Sequence, residues 1–578
     1  MPSVEPARPI AQFLRLVSPD RADIGVVVVF SIIVGFIALA VPIAAQVLIN
    51  YVAFAALVQP LVVLGFVLLM TLALGAGVRL MMTVLVEVLQ RRLFVRVVTR
   101  LADRLPRVRS KALDGARGPE LVNRFFDVLT VQKVGGTLLL DGVAALLQTV
   151  IGLTVLAFYH PFLLGFSGLL LLATAFVVFV LGRRGVSTAI DESTAKYRVA
   201  SVLEEIAGNL TAVKQADAHA LAFRRADEAA EGYVRARRAH FAVVLRQVTS
   251  ALAIQVIAGA SLLTLGGYLV IRNQLTLGQL VAAELIVAGS IASFLKIAAK
   301  LGDIYDMFAA VHKLSTLLEL PTERQGGELY QPGPGAARLR LAGVGYSYGD
   351  GAAPVVDSLD LTVEPGERVA IVGRYGSGKS TLVDMLFAAR SPTTGRIELD
   401  GIDYRELRVT SIRQHVGVVR GVEFFEGSVE ENIRLGRTGC TLDHCREALE
   451  RVGLLGEVRA LPQGLATRLS GTGAPLSSGQ RLRLMLARAL AASPRLLIVD
   501  DVIDSLDEQT AAGVLTALFD RSWDCTVVVM SHRRWIAPFV DRVITLGAPG
   551  HAHPPGLNGH AVQLPGPRPR SPLEADTR

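Results

Sequence analysis

The sequence predicts a membrane α-helical domain of six transmembrane helices, followed by an α/β P-loop domain of the NTPase type with a helical subdomain. Three observations support this fold class. Long apolar runs fill residues 20–300, and they raise the hydrophobic share of the 578 residues to 51% and the mean hydropathy to +0.45. A glycine-rich loop at 373–380 separates a β-branched apolar segment from a helix-like segment. From residue 338, short strand-like and helical stretches alternate, as in α/β domains.

The first half of the chain contains six apolar segments long enough to cross a bilayer. Several are interrupted by glycine or a single polar residue, which membrane helices tolerate. The predicted spans lie near 23–47, 58–85, 136–158, 161–182, 247–271 and 275–298.

The charge of the connecting loops predicts the orientation of the spans. The loop 51–60 carries no charge, whereas 90–133 and 182–246 are long and rich in Arg and Lys. Basic loops stay in the cytoplasm, so we expect both termini and the P-loop domain on that side of a bacterial inner (plasma) membrane. The long loops are expected to continue the membrane helices beyond the lipid.

The net charge of +8 is explained by these basic loops, so membrane lipid is an expected partner and nucleic acid is not. The three cysteines show no metal-ligand spacing and fit a reducing cytosol. Composition also predicts the domain bounds: a membrane domain over 1–315, a Pro- and Gly-containing linker over 316–337, the P-loop domain over 338–546, and a disordered Pro/Gly/His-rich tail over 547–578.

The P-loop reads G-x-x-x-x-G-K-S and predicts a site for a nucleotide triphosphate. Glycine backbone N–H groups can close around phosphate oxygens, and the following helix N-terminus adds partial positive charge. Lys379 is predicted to reach the β- and γ-phosphates, and Ser380 to hold Mg²⁺. The predicted binding residues of the loop are Gly373, Arg374, Tyr375, Gly376, Ser377, Gly378, Lys379, Ser380 and Thr381.

Further strand ends downstream fit the same chemistry. Leu496–Asp500 reads as a buried strand ending in an acid, which is the arrangement that holds Mg²⁺. Residues Val527–His532 read as another strand, ending in His532, which we expect near the γ-phosphate. Upstream of the loop, Tyr348 is the candidate for stacking on adenine.

The order Tyr348, G373-x4-G-K-S, L476-S-S-G-Q, L496-L-I-V-D, S505-L-D and S531-H532 resembles the nucleotide-binding domain of ATP-binding cassette (ABC) transporters. Six preceding spans with two long cytoplasmic loops resemble the exporter type, with one half-transporter per chain. The resemblance implies ATP and Mg²⁺ as cofactors. It also implies a dimer in which each ATP lies between one chain's P-loop and the other chain's signature residues, here Ser477, Gly479 and Gln480. A periplasmic adaptor is a further partner that the resemblance leaves open.

Four positions depart from this family pattern. Gly471 stands where exporters often have a Glu before the signature, and Ser478 replaces the first Gly of the signature; the other two are Asp501 and Arg420. Asp501 stands where the family usually has a catalytic Glu, so the carboxylate reaches roughly 1.5 Å less far. A misplacement of about 1 Å can cost on the order of 100-fold in rate. Arg420 stands where the family usually has a Gln that contacts Mg²⁺, and a guanidinium offers no oxygen ligand. Either the chain is the slowly hydrolysing half of a heterodimer, or it forms a homodimer in which Asp501 is a slower base.

The resemblance and the aliphatic spans predict an ATP-driven exporter half that moves amphipathic or hydrophobic cargo, such as lipid, peptide or drug-like compounds. The predicted catalytic residues are Asp501, His532 and Lys379; the predicted metal ligands are Ser380 and Asp500; and Arg420 is predicted to contact nucleotide. The alternative is a subunit that binds ATP, hardly hydrolyses it, and gates a partner. Two acids, Glu284 and Asp141, fall within predicted spans and are candidates for a functional site. Glu284 either lines a cavity, where it could contact a cationic group of the cargo, or lies near the outer water boundary or packs protonated against a neighbouring helix.

Overall fold

The computed structural model describes residues 9–52, 58–114, 122–215, 218–349, 351–521 and 523–547. The chain divides into two compact units. The membrane unit contains Met1–Arg107 and Gly115–Leu320, and the nucleotide unit contains Val108–Asp114 and Pro321–Arg578. A short piece from the first half of the sequence therefore folds with the second half.

The described residues of the membrane unit form helices joined by short turns. Its α-helices are Pro9–Val17, Arg21–Ile37, Ala40–Val47, Val58–Arg104, Asp127–Thr137, Val143–Ala157, Pro161–Ala175, Gly185–Gly208, Leu210–Gln215, His219–Ile271, Leu277–Ala299 and Leu301–Leu318. Turns of π-helix lie at Leu48–Val52, Leu138–Gly142 and Phe176–Val180.

Six helical stretches are long and apolar enough to cross a membrane, which confirms the six predicted spans. Two of these helices are much longer than a bilayer requires. Val58–Arg104 has 47 residues and His219–Ile271 has 53, whereas about 20 residues cross the hydrocarbon core. The basic segments next to the spans are thus continuous with the membrane helices, as the sequence predicts.

The membrane unit encloses a cavity of about 980 Å³. Apolar side chains such as Val34, Met82 and Leu140 form part of its wall, and four basic and two acidic side chains also line it. The charged lining residues are Arg79, Lys133, Lys296, Lys300, Asp141 and Asp303. The cavity is therefore amphipathic, with an excess of positive charge.

The acids within the predicted spans fall in different surroundings. Asp141 lines the cavity. Glu284 is not one of the residues around this cavity, and its buried Oε2 has no hydrogen-bond partner among the described residues. The cavity therefore lends no support to Glu284 as a contact for a cationic cargo group.

The nucleotide unit contains two main sheets and one small one. Its strands are β1 (Leu339–Tyr346), β2 (Val356–Val363), β3 (Arg368–Val372), β4 (Thr394–Leu399), β5 (Ile402–Asp403), β6 (Val416–Arg420), β7 (Gly427–Ser428), β8 (Arg468–Leu469), β9 (Leu496–Asp500), β10 (Thr526–Ser531) and β11 (Arg542–Thr545). The antiparallel sheet has the order β2-β1-β4-β5, the parallel sheet β11-β3-β10-β9-β6, and β7 pairs with β8.

The parallel sheet is the centre of the nucleotide unit. Every residue of β3, β9 and β10 is buried, as expected for parallel strands covered on both faces. The α-helices of this unit are Ser110–Leu113, Lys379–Leu386, Val409–His415, Val429–Arg434, Leu442–Arg451, Leu455–Ala460, Ser478–Leu490 and Glu508–Leu518.

The helical subdomain lies between β6 and β9 in the chain, and its core packs around buried residues such as Ile433, Leu449 and Leu484. The predicted linker 316–337 contains the last three residues of the helix Leu301–Leu318, and β1 begins two residues after it. The predicted domain bounds stay predictions. Of the predicted tail, only Gly547 lies within the described residues.

Candidate nucleotide-binding site

The P-loop connects β3 to the helix Lys379–Leu386, and its backbone requires glycine. Gly376 and Gly378 have φ values of 81° and 87°, which side chains other than glycine adopt with strain. A Cβ atom at Gly378 would also lie 2.6 Å from the carbonyl oxygen of Val355. At these positions the loop presents backbone groups rather than side chains, and backbone N–H groups are what a phosphate-binding loop uses.

Lys379 is held inside this loop. Its Nζ donates to the carbonyl oxygens of Gly373 at 2.8 Å and Arg374 at 3.2 Å, and the residue is buried. The hydroxyl of Ser377 is also buried and has no hydrogen-bond partner within the described part of the chain. A fixed cation and a free hydroxyl thus lie in the loop, which suits a phosphate group.

The candidate adenine residue lies next to the loop's helix. The hydroxyl of Tyr348 is 3.0 Å from that of Thr381, and the guanidinium of Arg390 lies 5.0 Å from the centre of the Tyr348 ring. The Tyr348 ring remains half exposed. Its stacking on adenine stays a prediction.

The parallel sheet brings the other candidate residues to one edge. Strands β3, β6, β9 and β10 run parallel, so their carboxyl ends meet at the same side of the sheet. Arg420 ends β6 and pairs in register with Asp500, the last residue of β9. His532 directly follows β10, and the P-loop follows β3. Four segments far apart in sequence thereby converge.

Arg420 is anchored by three hydrogen bonds. Its Nε donates to Asp500 Oδ2 at 2.7 Å, its Nη1 to Asp384 Oδ1 at 2.7 Å, and its Nη2 to the carbonyl oxygen of Ser380 at 2.6 Å. Burial lowers the pKa of Arg420, but the hydrogen bond with Asp500 and the charge of Asp384 outweigh it and hold the pKa above its ordinary value. The guanidinium stays charged.

The residues that would hold Mg²⁺ fit that ion. Asp500 is buried, and its Oδ1 has no hydrogen-bond partner among the described residues. Ser380 supplies a hydroxyl in the first turn of the P-loop helix. Carboxylate and hydroxyl oxygens are the ligand types that Mg²⁺ prefers. Asp500 Oδ1 is available to coordinate the ion.

Asp501, at the catalytic position of the family pattern, has a left-handed backbone with φ of 54°. Aspartate is several-fold enriched in this region among non-glycine residues, which makes it a better fit there than most longer side chains. Burial raises the pKa of Asp501, and the neighbouring charge of Asp500 raises it further. Its Oδ1 lies 4.0 Å from His532 Nδ1. The structure thus brings the acid and the histidine close together.

The sequence analysis missed Asp504, which positions His532. The buried Asp504 carboxylate accepts from the Ser531 hydroxyl at 2.8 Å and from the His532 backbone N–H at 2.9 Å. His532 Nδ1 lies 2.8 Å from Asp504 Oδ2, which is an ion-pair distance without the geometry of a hydrogen bond. On its other side, His532 Nε2 is 3.4 Å from the Tyr375 hydroxyl. The signal for Asp504 is an acid three residues after Asp501, in a turn that follows the same strand.

The signature residues lie at the start of the helix Ser478–Leu490. Ser477 caps this helix, since its hydroxyl accepts from the backbone N–H of Gln480 and the Gln480 side chain accepts in return from Ser477 N–H. The Gln480 amide also donates to Glu457 at 2.6 Å. Within the described residues, no hydrogen bond or ion pair joins Ser477, Gly479 or Gln480 to the P-loop. Their predicted contact with a second chain's nucleotide stays a prediction.

Comparisons with known proteins agree with this architecture. The chain matches two family models, one described as "ABC transporter transmembrane region" over residues 24–293 and one as "ABC transporter" over residues 356–504. A solved structure of a bacterial Atm1-family ABC exporter with ATP bound has a TM-score of 0.79 with this chain. It covers 91% of this chain and 93% of its own at 20% identity, which shows a common fold.

Two of three relatives are similar over about three quarters of the chain, and the third over 41%. The mycobactin import ATP-binding/permease protein of Mycolicibacterium smegmatis is 29% identical over 469 residues, or 77% of each chain. The ATP-dependent lipid A-core flippase of Chromobacterium violaceum is 33% identical over 239 residues, or 41% of each chain. The fatty acid ABC transporter ATP-binding/permease protein of Mycobacterium tuberculosis is 29% identical over 449 residues, 76% of this chain and 70% of that one.

The fold and the site together define a membrane-integrated P-loop ATPase. The two matched models cover most of the chain. The chain belongs to the ABC transporter family, as an exporter-type half-transporter with one membrane domain fused to one nucleotide-binding domain. Membership of the family means that it binds ATP, couples ATP hydrolysis to transport and works with a partner half.

Proposed function

We propose that this chain is one half of an ATP-driven exporter that moves amphipathic cargo out of the cytoplasm or the inner leaflet of a bacterial inner membrane. The nucleotide unit and both termini would lie in the cytoplasm. The observation that carries the proposal is the sheet edge that gathers Lys379, Asp500 and His532, on a chain that also has six membrane-spanning helices. The names of the relatives do not decide the direction of transport, because one of them is named as an importer. The proposed outward direction therefore rests on the exporter-type fold.

The chemistry of the nucleotide site is in-line attack of water on the γ-phosphate. Lys379 would stabilise charge on the β- and γ-phosphate oxygens, and Asp501 would orient the water and accept its proton. Asp504 would hold His532 towards the γ-phosphate. Mg²⁺, when bound at Ser380 and Asp500, would neutralise phosphate charge.

A second chain would complete the site. Its Ser477, Gly479 and Gln480 would close over the nucleotide bound to the first chain's P-loop, and a homodimer and a heterodimer both satisfy this geometry. Turnover at this chain's own site is proposed to be slow for two reasons. Asp501 is one methylene shorter than the usual Glu, and Arg420 holds one oxygen of Asp500.

The cavity of the membrane unit supports amphipathic cargo over purely hydrophobic cargo. Among the described residues, no acidic side chain lies within ion-pair distance of Arg79, Lys133 or Lys296. Of the four basic lining residues, only Lys300 is paired, with Asp303 at 3.0 Å. Unpaired cations beside apolar walls favour a cargo with an acidic group and an apolar body.

The first experiment measures ATP turnover of the purified chain in lipid, beside Lys379→Ala and Asp501→Asn, and cargo uptake into inside-out vesicles. We expect slow but measurable turnover in the unmodified chain and none in either variant. ATP binding without turnover above the variants would instead favour the alternative of a regulatory subunit, which Arg420 and Asp501 support. Uptake in the opposite orientation would contradict export.

A further inference from the structure

Arg420 occupies the Mg²⁺ side of the nucleotide site, where the family resemblance offers no role for a cation. Its three hydrogen bonds use three different nitrogen atoms and reach three segments of the site. The acceptors are Asp500 at the end of β9, Asp384 in the P-loop helix and the backbone of Ser380. A planar guanidinium is suited to such divergent contacts, whereas a Lys ammonium is a point charge.

A second arginine fixes Arg420 in place. Arg390 donates to Asp384 Oδ2 at 2.9 Å, so the two arginines share this carboxylate. Arg390 also donates to both carboxylate oxygens of Asp114, at 2.8 and 2.6 Å, and its side chain is 9% exposed. Asp500, Arg420, Asp384, Arg390 and Asp114 therefore form a row of alternating charges. Moving Arg420 would break this row.

Asp500 needs a counter-charge because its side chain is only 3% exposed. A buried carboxylate without a compensating cation is strongly unfavourable. With a neutral Gln at position 420, bound Mg²⁺ would be the main source of compensation. In this chain Arg420 supplies it permanently, and it adds positive charge beside the site of the phosphates.

We propose that Arg420 is a resident counter-charge for Asp500, so that ATP binding at this site depends much less on Mg²⁺ than it would with a neutral residue at position 420. The inference rests on the proposed function only in taking ATP as the ligand of this site. Mg²⁺ usually supports both the binding of ATP and its hydrolysis. In this chain Arg420 would support binding without the metal, whereas hydrolysis would still need Mg²⁺.

The competing interpretation is that Arg420 only joins β6 to β9 as a structural ion pair. Both interpretations predict lower thermal stability when Arg420 is replaced, so stability cannot distinguish them. They differ in the Mg²⁺ dependence of nucleotide affinity, because a structural pair alone would alter affinity equally with and without the metal.

The test measures binding of trinitrophenyl-ATP to the purified full-length chain, once in excess Mg²⁺ and once in excess EDTA. The measured quantity is the ratio of the two Kd values. We expect a small ratio for the unmodified chain, and a ratio at least about tenfold larger for Arg420→Gln, the effect of losing one charge-assisted contact. Arg420→Lys should fall between them, because it keeps the charge but loses the fork of donors.

The matched control is Arg405→Gln, which removes the same charge from an exposed arginine paired with Asp403; its ratio should equal that of the unmodified chain. An unchanged ratio in Arg420→Gln would overturn the proposal. So would the loss of binding by the unmodified chain in EDTA, a result that needs no variant to fold. Failure to bind ATP in either condition would instead contradict the proposed function.

Discussion

The nucleotide site and the membrane cavity handle positive charge in opposite ways. In the nucleotide site, Lys379, Arg390 and Arg420 all have partners within the protein. In the cavity, Arg79, Lys133 and Lys296 have no acidic partner among the described residues, although an acid, Asp141, lines the same space. The nucleotide site pairs its cations with groups of the protein, whereas the cavity leaves three cations without an acidic partner among the described residues, available to a bound ligand.

This difference separates a site built for one ligand from a site built for a class of ligands. Cations that are paired within the protein have fixed positions, which suits the constant geometry of a triphosphate. Exposed, unpaired cations keep their water and their rotamers, so each contributes little until cargo displaces that water. The contrast makes four predictions, given from the largest expected effect to the smallest.

The contrast depends most on Lys379. Lys379→Ala should reduce ATP turnover by at least about 100-fold, because a fixed cation at the transferring phosphate stabilises the transition state. The nucleotide unit has two lysines in its sequence, Lys111 and Lys379, so an amine-reactive probe has two targets there and Lys379 is the one in the P-loop. Peptide mass spectrometry should show protection of Lys379 by ATP. Equal labelling with and without ATP would argue against its contact with phosphate.

Replacing Asp504 tests whether the fixed position of His532 matters to turnover as much as the positive charge of Lys379. Asp504→Asn should lower kcat by about 10- to 100-fold with little change in KM, because His532 loses the carboxylate that orients it. Glu508→Gln, which neutralises an exposed acid at the start of the following helix, is the matched control for the loss of one carboxylate. A rise in KM with kcat preserved would show that Asp504 acts on nucleotide affinity instead.

The cavity should respond to the charge of the cargo. Lys296→Gln or Arg79→Gln should raise about tenfold the concentration of an anionic amphiphile that half-maximally stimulates ATP turnover, and should leave the response to a zwitterionic amphiphile unchanged. Lys300→Gln is the control, since Lys300 is already paired with Asp303. Equal shifts of the half-maximal concentration for both amphiphiles would mean that these cations do not distinguish cargo by its charge.

Asp501→Glu should produce the smallest change. The longer side chain restores the usual reach, but the left-handed backbone with φ of 54° suits Asp better than Glu. We expect turnover to rise only a few-fold, measured beside transport in the same vesicles. A rise in both would support a pump, whereas faster hydrolysis without more transport would support the regulatory alternative.

Motifs and helices that lie within one continuous stretch of sequence could be predicted. Contacts that depend on how distant strands and helices pair could not. The P-loop and the six spans are encoded by adjacent residues, so their patterns are visible directly. The contact between Arg420 and Asp500 depends on β6 pairing with β9 across 80 positions of sequence. The cavity likewise draws its lining from several helices. Asp504 lies between the motifs L496-L-I-V-D and S505-L-D and belongs to neither, and only the turn brings it close to His532.

The placement of Val108–Asp114 within the nucleotide unit has a consequence for protein engineering. A fragment beginning at Pro321 would include Arg390 but not Asp114, and the buried guanidinium would lose two of its hydrogen bonds. It would also lose the pairing of Val108 with Thr322. We expect such a fragment to be less soluble and to melt lower than one in which residues 108–114 are supplied through a short linker. The nucleotide unit therefore cannot be cut from this chain as one continuous segment.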